Sequence, residues 1–238
     1  MWKRLPPDAR PRHRETEYEY GFKKDRAGSI VWPWIGRAYK REGVAVAGLN
    51  LRTNWEETTV ALEYWIADND RKQFVQGHRR STRGSAFAYR SMSAAAAVIA
   101  SRNGERPTTD PPPESLVAVM DQIARLQLVK CNPNASAVPR GAPSKTMCER
   151  CPDRFLIPEL QMLAPRALVL LGHDAFRAVN GREEVRWRSL RDHFARGTFS
   201  GATHEVELFW LPHPAGSQWK DGYGSLLRSL RARRAGSP

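Results

Sequence analysis

Cysteine is scarce in this chain: three residues out of 238. An odd, low count argues against a disulfide-stapled secreted protein and for a reducing cytoplasm. Long apolar runs are missing as well. None reaches the roughly 18–20 residues that a membrane span requires. The opening Met1-Trp2-Lys3-Arg4-Leu5-Pro6-Pro7 has no apolar segment behind its charges, so a secretory leader is not expected. Several catalytic signatures are also absent. There is no G-x-x-x-x-G-K-[ST] phosphate loop, no G-x-G-x-x-G after a strand and no G-x-S-x-G nucleophile elbow. Cys148 and Cys151 form a C-x-x-C, but there is no P-C-x-x-C to go with an H-x-E, as a zinc deaminase requires. No carboxylate cluster suited to two-metal chemistry stands at the strand ends, which argues against most nucleases.

What the chain has in excess is positive charge. Lys plus Arg number 38 against 25 Asp plus Glu, a net +13. A field of that size favours a polyanionic partner, DNA or RNA, over a neutral one. No amphipathic basic helix suited to a membrane surface is evident. Hydrophobic residues make up 41% of the chain, enough for a packed core.

Residues 1–29 are polar, charged and proline-bearing, and read as a basic arm; 30–238 read as one α/β domain. Strands are expected at 44–49, 126–129, 167–171 and 206–211, each a short apolar run ending in a loop. Helices are expected at 56–67, 91–100 (capped by Ser91 or Ser93), from 115, at 153–164 with Pro158 in its first turn, at 174–179 and at 222–234. Residues 68–85, 103–113 and 134–147 read as loops. The strand ends carry Asn50, Lys130-Cys131, Gly172 and His213, and in open α/β sheets ligands bind beyond those ends. An amide and an imidazole facing each other suit N-glycosidic cleavage. That reaction needs a held water and neutral donors for the leaving base.

Residues 47–50, 87–91, 127–133, 160–172 and 211–214 are five blocks that, in this order, resemble the motifs of the uracil-DNA glycosylase superfamily, most closely its family-four and mismatch-specific branches. Ala47-Gly48-Leu49-Asn50 resembles the first motif, G-x-N-P-G. Phe87-Ala88-Tyr89-Arg90-Ser91 resembles F-x-x-R-S, and residues 127–133 resemble N-x-V-K-C-R-P. Residues 160–172 resemble the helix and the strand ending in L-G, and Leu211-Pro212-His213-Pro214 the final H-P motif. The resemblance implies a three-layer α/β/α fold with a central, mostly parallel four-stranded sheet. It implies a DNA glycosylase acting on flipped bases in DNA, a monomer needing no cofactor for catalysis.

By the same resemblance Asn50 orients water or contacts the flipped nucleotide, and His213 donates to O2 of the leaving base. Phe87 stacks on the base, Gln127 reads its edge, and Leu51 and Arg52 border the pocket. Arg90, Ser91, Lys130 and the basic C-terminal helix contact phosphates. Ser217, Gln218 and Trp219 belong to a loop that enters the duplex, with Gln218 or Trp219 filling the gap left by the base. Family-four members hold an iron–sulfur cluster with four Cys. Here Cys131, Cys148 and Cys151 could hold zinc or an incomplete cluster with a His, or be ordinary thiols. The sequence departs from the family where Asn50-Leu51-Arg52 replaces N-P-G and Gln127 replaces Asn. A long insertion holding Tyr64, Trp65 and His78 separates Asn50 from Phe87. These departures point to a base other than plain uracil, such as a hypermodified cytosine of phage DNA excised in anti-phage defence. Alternatives are a catalytically inactive nucleic-acid binder of this fold, a plain uracil-repair enzyme, and a metal-dependent nuclease or nucleoside-processing enzyme.

Overall fold

The computed structural model describes residues 34–40, 43–48, 83–128, 145–200 and 204–235. The expected arm at 1–29 and helix at 56–67 lie outside the described residues. Seven strands form one sheet in the order β1-β3-β2-β4-β7-β6-β5. Its middle is the expected parallel set of four: β2 (Val44–Gly48), β3 (Ile123–Gln127), β4 (Ala167–Leu171) and β7 (Val206–Leu211). Register is continuous across it, with Gly48 opposite both Gln127 and Leu171, and Leu171 opposite Leu211. Three further strands pair antiparallel at the margins, so the sheet is wider than the four strands expected: β1 (Trp34–Ile35) against β3, and the hairpin β5 (Val185–Arg191) with β6 (Phe194–Phe199) against β7.

The central strands are mostly apolar because both faces are covered. On one face Val44, Val46, Val169 and Phe209 pack against helices α1 (Arg83–Arg102), α2 (Pro113–Gln122) and α6 (Trp219–Ala235). On the other, Ala45, Ala47, Leu168, Leu170 and Leu208 pack against the last two segments of a three-segment helical run and against α5 (His173–Val179). Period-two alternation thus yields the three layers. The helical run consists of α3 (Lys145–Cys151), a π-helical turn (Pro152–Leu156) and α4 (Ile157–Leu163). Pro152 and Pro158 each occupy the first turn of their segment.

Several boundaries differ from expectation. Helix α1 begins at Arg83, so Ser91 and Ser93 are interior residues and not caps; Ser93 Oγ donates to the carbonyl of Tyr89 at 2.8 Å, one turn back. Strand β3 starts at Ile123, directly at the end of α2 with no turn between, and includes the buried Arg125. Arg182 ties the π turn to the end of α5. It pairs with Asp153 and donates to the carbonyls of Glu149 and Ala178.

Candidate active site

The parallel register places the carboxyl ends of β3, β2, β4 and β7 in one row: Gln127, Gly48, Leu171, Leu211. At about 4.8 Å per strand, that row spans roughly 14 Å, wide enough for a single nucleotide base. The residues that follow these ends form the rim.

Gln127 stands at one end of the row. It is 8% exposed, and its Oε1 is buried with no hydrogen-bond partner among the described residues. A Cβ added at Gly48 would sit 3.8 Å from that oxygen, so the amide lies over the glycine at the top of β2. Leaving an acceptor unpaired in such a place costs about 1–3 kcal/mol. An external N–H donor would recover that cost.

His213 stands at the other end, exposed beyond β7. The backbone N–H of Ala215 donates to its Nδ1 at 3.2 Å. A ring nitrogen that accepts from an amide carries no proton, so the neutral ring holds its proton on Nε2. The turn is closed by Gly216, whose N–H donates to the His213 carbonyl at 2.8 Å. Between the two ends lies Gly172, with φ +97°, where a Cβ would meet His213 Cδ2 at 3.7 Å. Side chains rarely adopt that backbone conformation, so glycine suits both the turn from β4 into α5 and the packing of the imidazole above it. The Gly172 carbonyl accepts from Trp210 Nε1 at 2.9 Å, which ties the β4 and β7 ends together.

A family model for the uracil DNA glycosylase superfamily matches residues 77–229, well over half the chain. The chain belongs to the uracil DNA glycosylase superfamily. No curated protein matches it. The span matched by the superfamily model contains Phe87, Arg90, Gln127 and His213, while Asn50, Leu51 and Arg52 precede it. Membership makes DNA the expected substrate class and base–sugar hydrolysis the general chemistry. No helix among the described residues is long and apolar enough to cross a membrane.

Of the site residues expected of a superfamily member, the structure brings Gln127, Gly172 and His213 to one rim. Asn50, Leu51, Arg52, Lys130, Cys131 and the Phe87 side chain lie outside the described residues. Ser217 and Gln218 are exposed in the loop after Pro214, as a duplex-facing loop requires. Two expectations are corrected, those for Trp219 and Ser91. Trp219 is 4% exposed and stacks on Tyr223 with centroids 5.6 Å apart. Its indole anchors the first turn of α6 in the core and cannot fill a gap in DNA. Ser91 is fully buried inside α1 and cannot reach a phosphate. Arg90 is half-buried, and its guanidinium donates to the carbonyl of Pro214 in the His213 loop. No sequence pattern signals that contact between residues 124 positions apart.

The C-terminal helix is basic, but two of its cations are engaged within the fold. Arg231 donates to the Pro107 carbonyl at 3.1 Å, and Arg233 pairs with Glu207 at 2.8 Å.

The four-Cys cluster of family-four members does not fit this chain, which holds three Cys in all. Cys148 and Cys151 lie on α3, half-buried and buried, and no group of three or more His, Cys, Asp or Glu that could hold a metal occurs among the described residues. Burial pushes the Cys148 thiol up to about 11, helped by the charges of Asp174, Cys151 and Glu149. That environment keeps the thiol protonated at neutral pH.

Proposed function

We propose that the protein is a monofunctional DNA glycosylase that extrudes a pyrimidine nucleotide and hydrolyses its bond to deoxyribose. The His213 ring carries the reading. Its Nδ1 accepts the Ala215 N–H, so the neutral ring carries its proton on Nε2, a neutral donor of the kind that stabilises charge developing on a leaving base. As the C1′–N bond breaks, its electron pair moves into the base and onto O2, where Nε2–H stabilises it. Water, oriented by Asn50, adds its oxygen to C1′ and its proton goes to the base anion. The products are an abasic sugar and a free base, and the strand stays intact. One observation supports a base as the ligand: the Gln127 oxygen, buried and without a partner among the described residues, suits the N–H groups of a pyrimidine edge.

We extend the proposal to a pyrimidine bulkier than uracil, such as a hypermodified cytosine of phage DNA, which would give the enzyme a role in anti-phage defence. Two motif positions that border the base in the family are altered in sequence: Arg52 stands in place of its glycine and Gln127 in place of its asparagine. Incubation with DNAs carrying different bases, followed by mass spectrometry of free bases, tests it. Release from modified-cytosine phage DNA is expected. Activity on uracil-containing DNA with none on modified-cytosine DNA would sink this extension. Arg52 also favours a second reading, a DNA-binding member that has lost catalysis; it predicts binding without release of any base.

A further inference from the structure

We infer that Arg90 is a positioning residue for His213 and not a phosphate contact, an inference that rests on the glycosylase reading above. The segment from 212 to 214 holds two prolines, which have no N–H to offer a neighbouring strand. The loop's internal bonds are short-range. Gly216 donates to the His213 carbonyl, Ala215 to the His213 ring, and Trp219 to the Gly216 carbonyl at 3.4 Å. Those bonds shape the turn, yet none attaches it to the opposite side of the site.

Arg90 makes that attachment. It projects from α1, a helix whose interior is buried against β2 and β4, and its guanidinium donates to the Pro214 carbonyl. Pro214 is itself buried, so its carbonyl needs a protein donor. A charged donor gives the strongest available bond to it. The bond therefore fixes the residue that follows His213. The N–H that sets the ring's tautomer comes from the next residue, Ala215. Arg90 thus acts on the chemistry through two links of backbone, without touching the base.

The test compares Arg90→Met and Arg90→Lys with wild type, each below its melting temperature and on a DNA from which wild type releases a base. The Met variant keeps most of the aliphatic stem and removes the donor. Its single-turnover rate is expected to fall roughly ten- to hundred-fold, the scale of a small misplacement of a catalytic group. Lys, which retains one cationic donor, is expected to recover part of the rate. DNA affinity and its salt dependence are expected to stay at wild-type values. Weaker binding with a log–log salt slope shallower by about 0.9 would mark a phosphate contact and overturn the inference.

Nitrogen NMR of the His213 ring adds a readout independent of turnover. The ring is expected to be Nε2-protonated in wild type and a tautomer mixture in Arg90→Met; an unchanged ring in the variant would overturn the inference. If wild-type protein releases no base from any DNA, the glycosylase reading fails, and the NMR comparison still decides the role of Arg90.

Discussion

Ala215 donates its backbone N–H to Nδ1 of His213 at 3.2 Å, so the proton of the neutral imidazole resides on Nε2. A hydrogen bond within one short turn thereby decides which atom of the ring can donate. Removing the ring removes that donor and leaves the fold intact, because His213 is exposed. We expect His213→Ala to lower single-turnover base release by about 10²–10³-fold, the scale of losing one donor to a developing anion. DNA binding should be nearly unchanged. Rapid-quench assays and fluorescence anisotropy check the two halves separately.

Gln127 predicts a split between stability and function. Its oxygen is buried and unpartnered among the described residues, a cost the free protein carries. Gln127→Met keeps a similar volume without the amide. We expect it to melt at the wild-type temperature or higher, with a gain of up to about 1–3 kcal/mol. Its release of base should fall by at least about ten-fold, since a read N–H would be left unpaired. Thermal melts and kinetics on one preparation decide it.

Trp219 and Gln218 are neighbours with opposite expected effects. Trp219→Ala empties a core position, and losses of about 3–5 kcal/mol accompany such truncations. Gln218→Ala alters an exposed loop and should leave the melt within about 0.5 kcal/mol of wild type. It should instead slow base release if the loop enters the duplex. A Trp219→Ala protein that melts normally and only loses activity would restore the indole as the intercalating group.

Alkaline conditions should destabilise the fold. Burial pushes the Cys148 thiol up to about 11 from 9.0 and the Tyr39 hydroxyl up to about 12 from 10.0; it raises Tyr223 as well. Between the unfolded and folded values the unfolded chain has lost protons that the folded chain keeps. The stabilisation from these groups is therefore complete below about pH 9 and declines as pH rises through the folded values. Urea midpoints from pH 8 to 11 should fall steadily, and Cys148→Ser should flatten the early part of that decline. Alkylation of Cys148 at pH 7–8 should be slow for the same reason.

The parallel strands were legible in the sequence because they are buried on both faces. Val-Ala-Val-Ala-Gly, Ala-Leu-Val-Leu-Leu and Val-Glu-Leu-Phe-Trp-Leu stand out as apolar runs wherever they are sought. Strand β3 was harder to place. It follows α2 without a turn, and Arg125 interrupts its apolar pattern. The β5–β6 hairpin escaped notice because β5 is an edge strand. Its Arg186 and Arg188 alternate with half-buried Val185 and Trp187, a weaker signal than a continuous apolar run. In the site, the ordered motifs led to Gln127 and His213. Ser91 and Trp219 are buried for a reason the sequence does not display. Whether a serine or a tryptophan beside a loop faces solvent or the core depends on contacts between distant segments.

The central claim is that this chain releases a base with His213 as the donor to the leaving group. The most direct measurement is mass spectrometry of free bases after wild-type and His213→Ala proteins act on one panel of DNAs with different bases. The account predicts one free pyrimidine from wild type, strands that break only after alkali, and little or no release by the variant. Equal release by both proteins would contradict the role of His213. DNA binding with no base released by wild type would contradict the glycosylase reading itself.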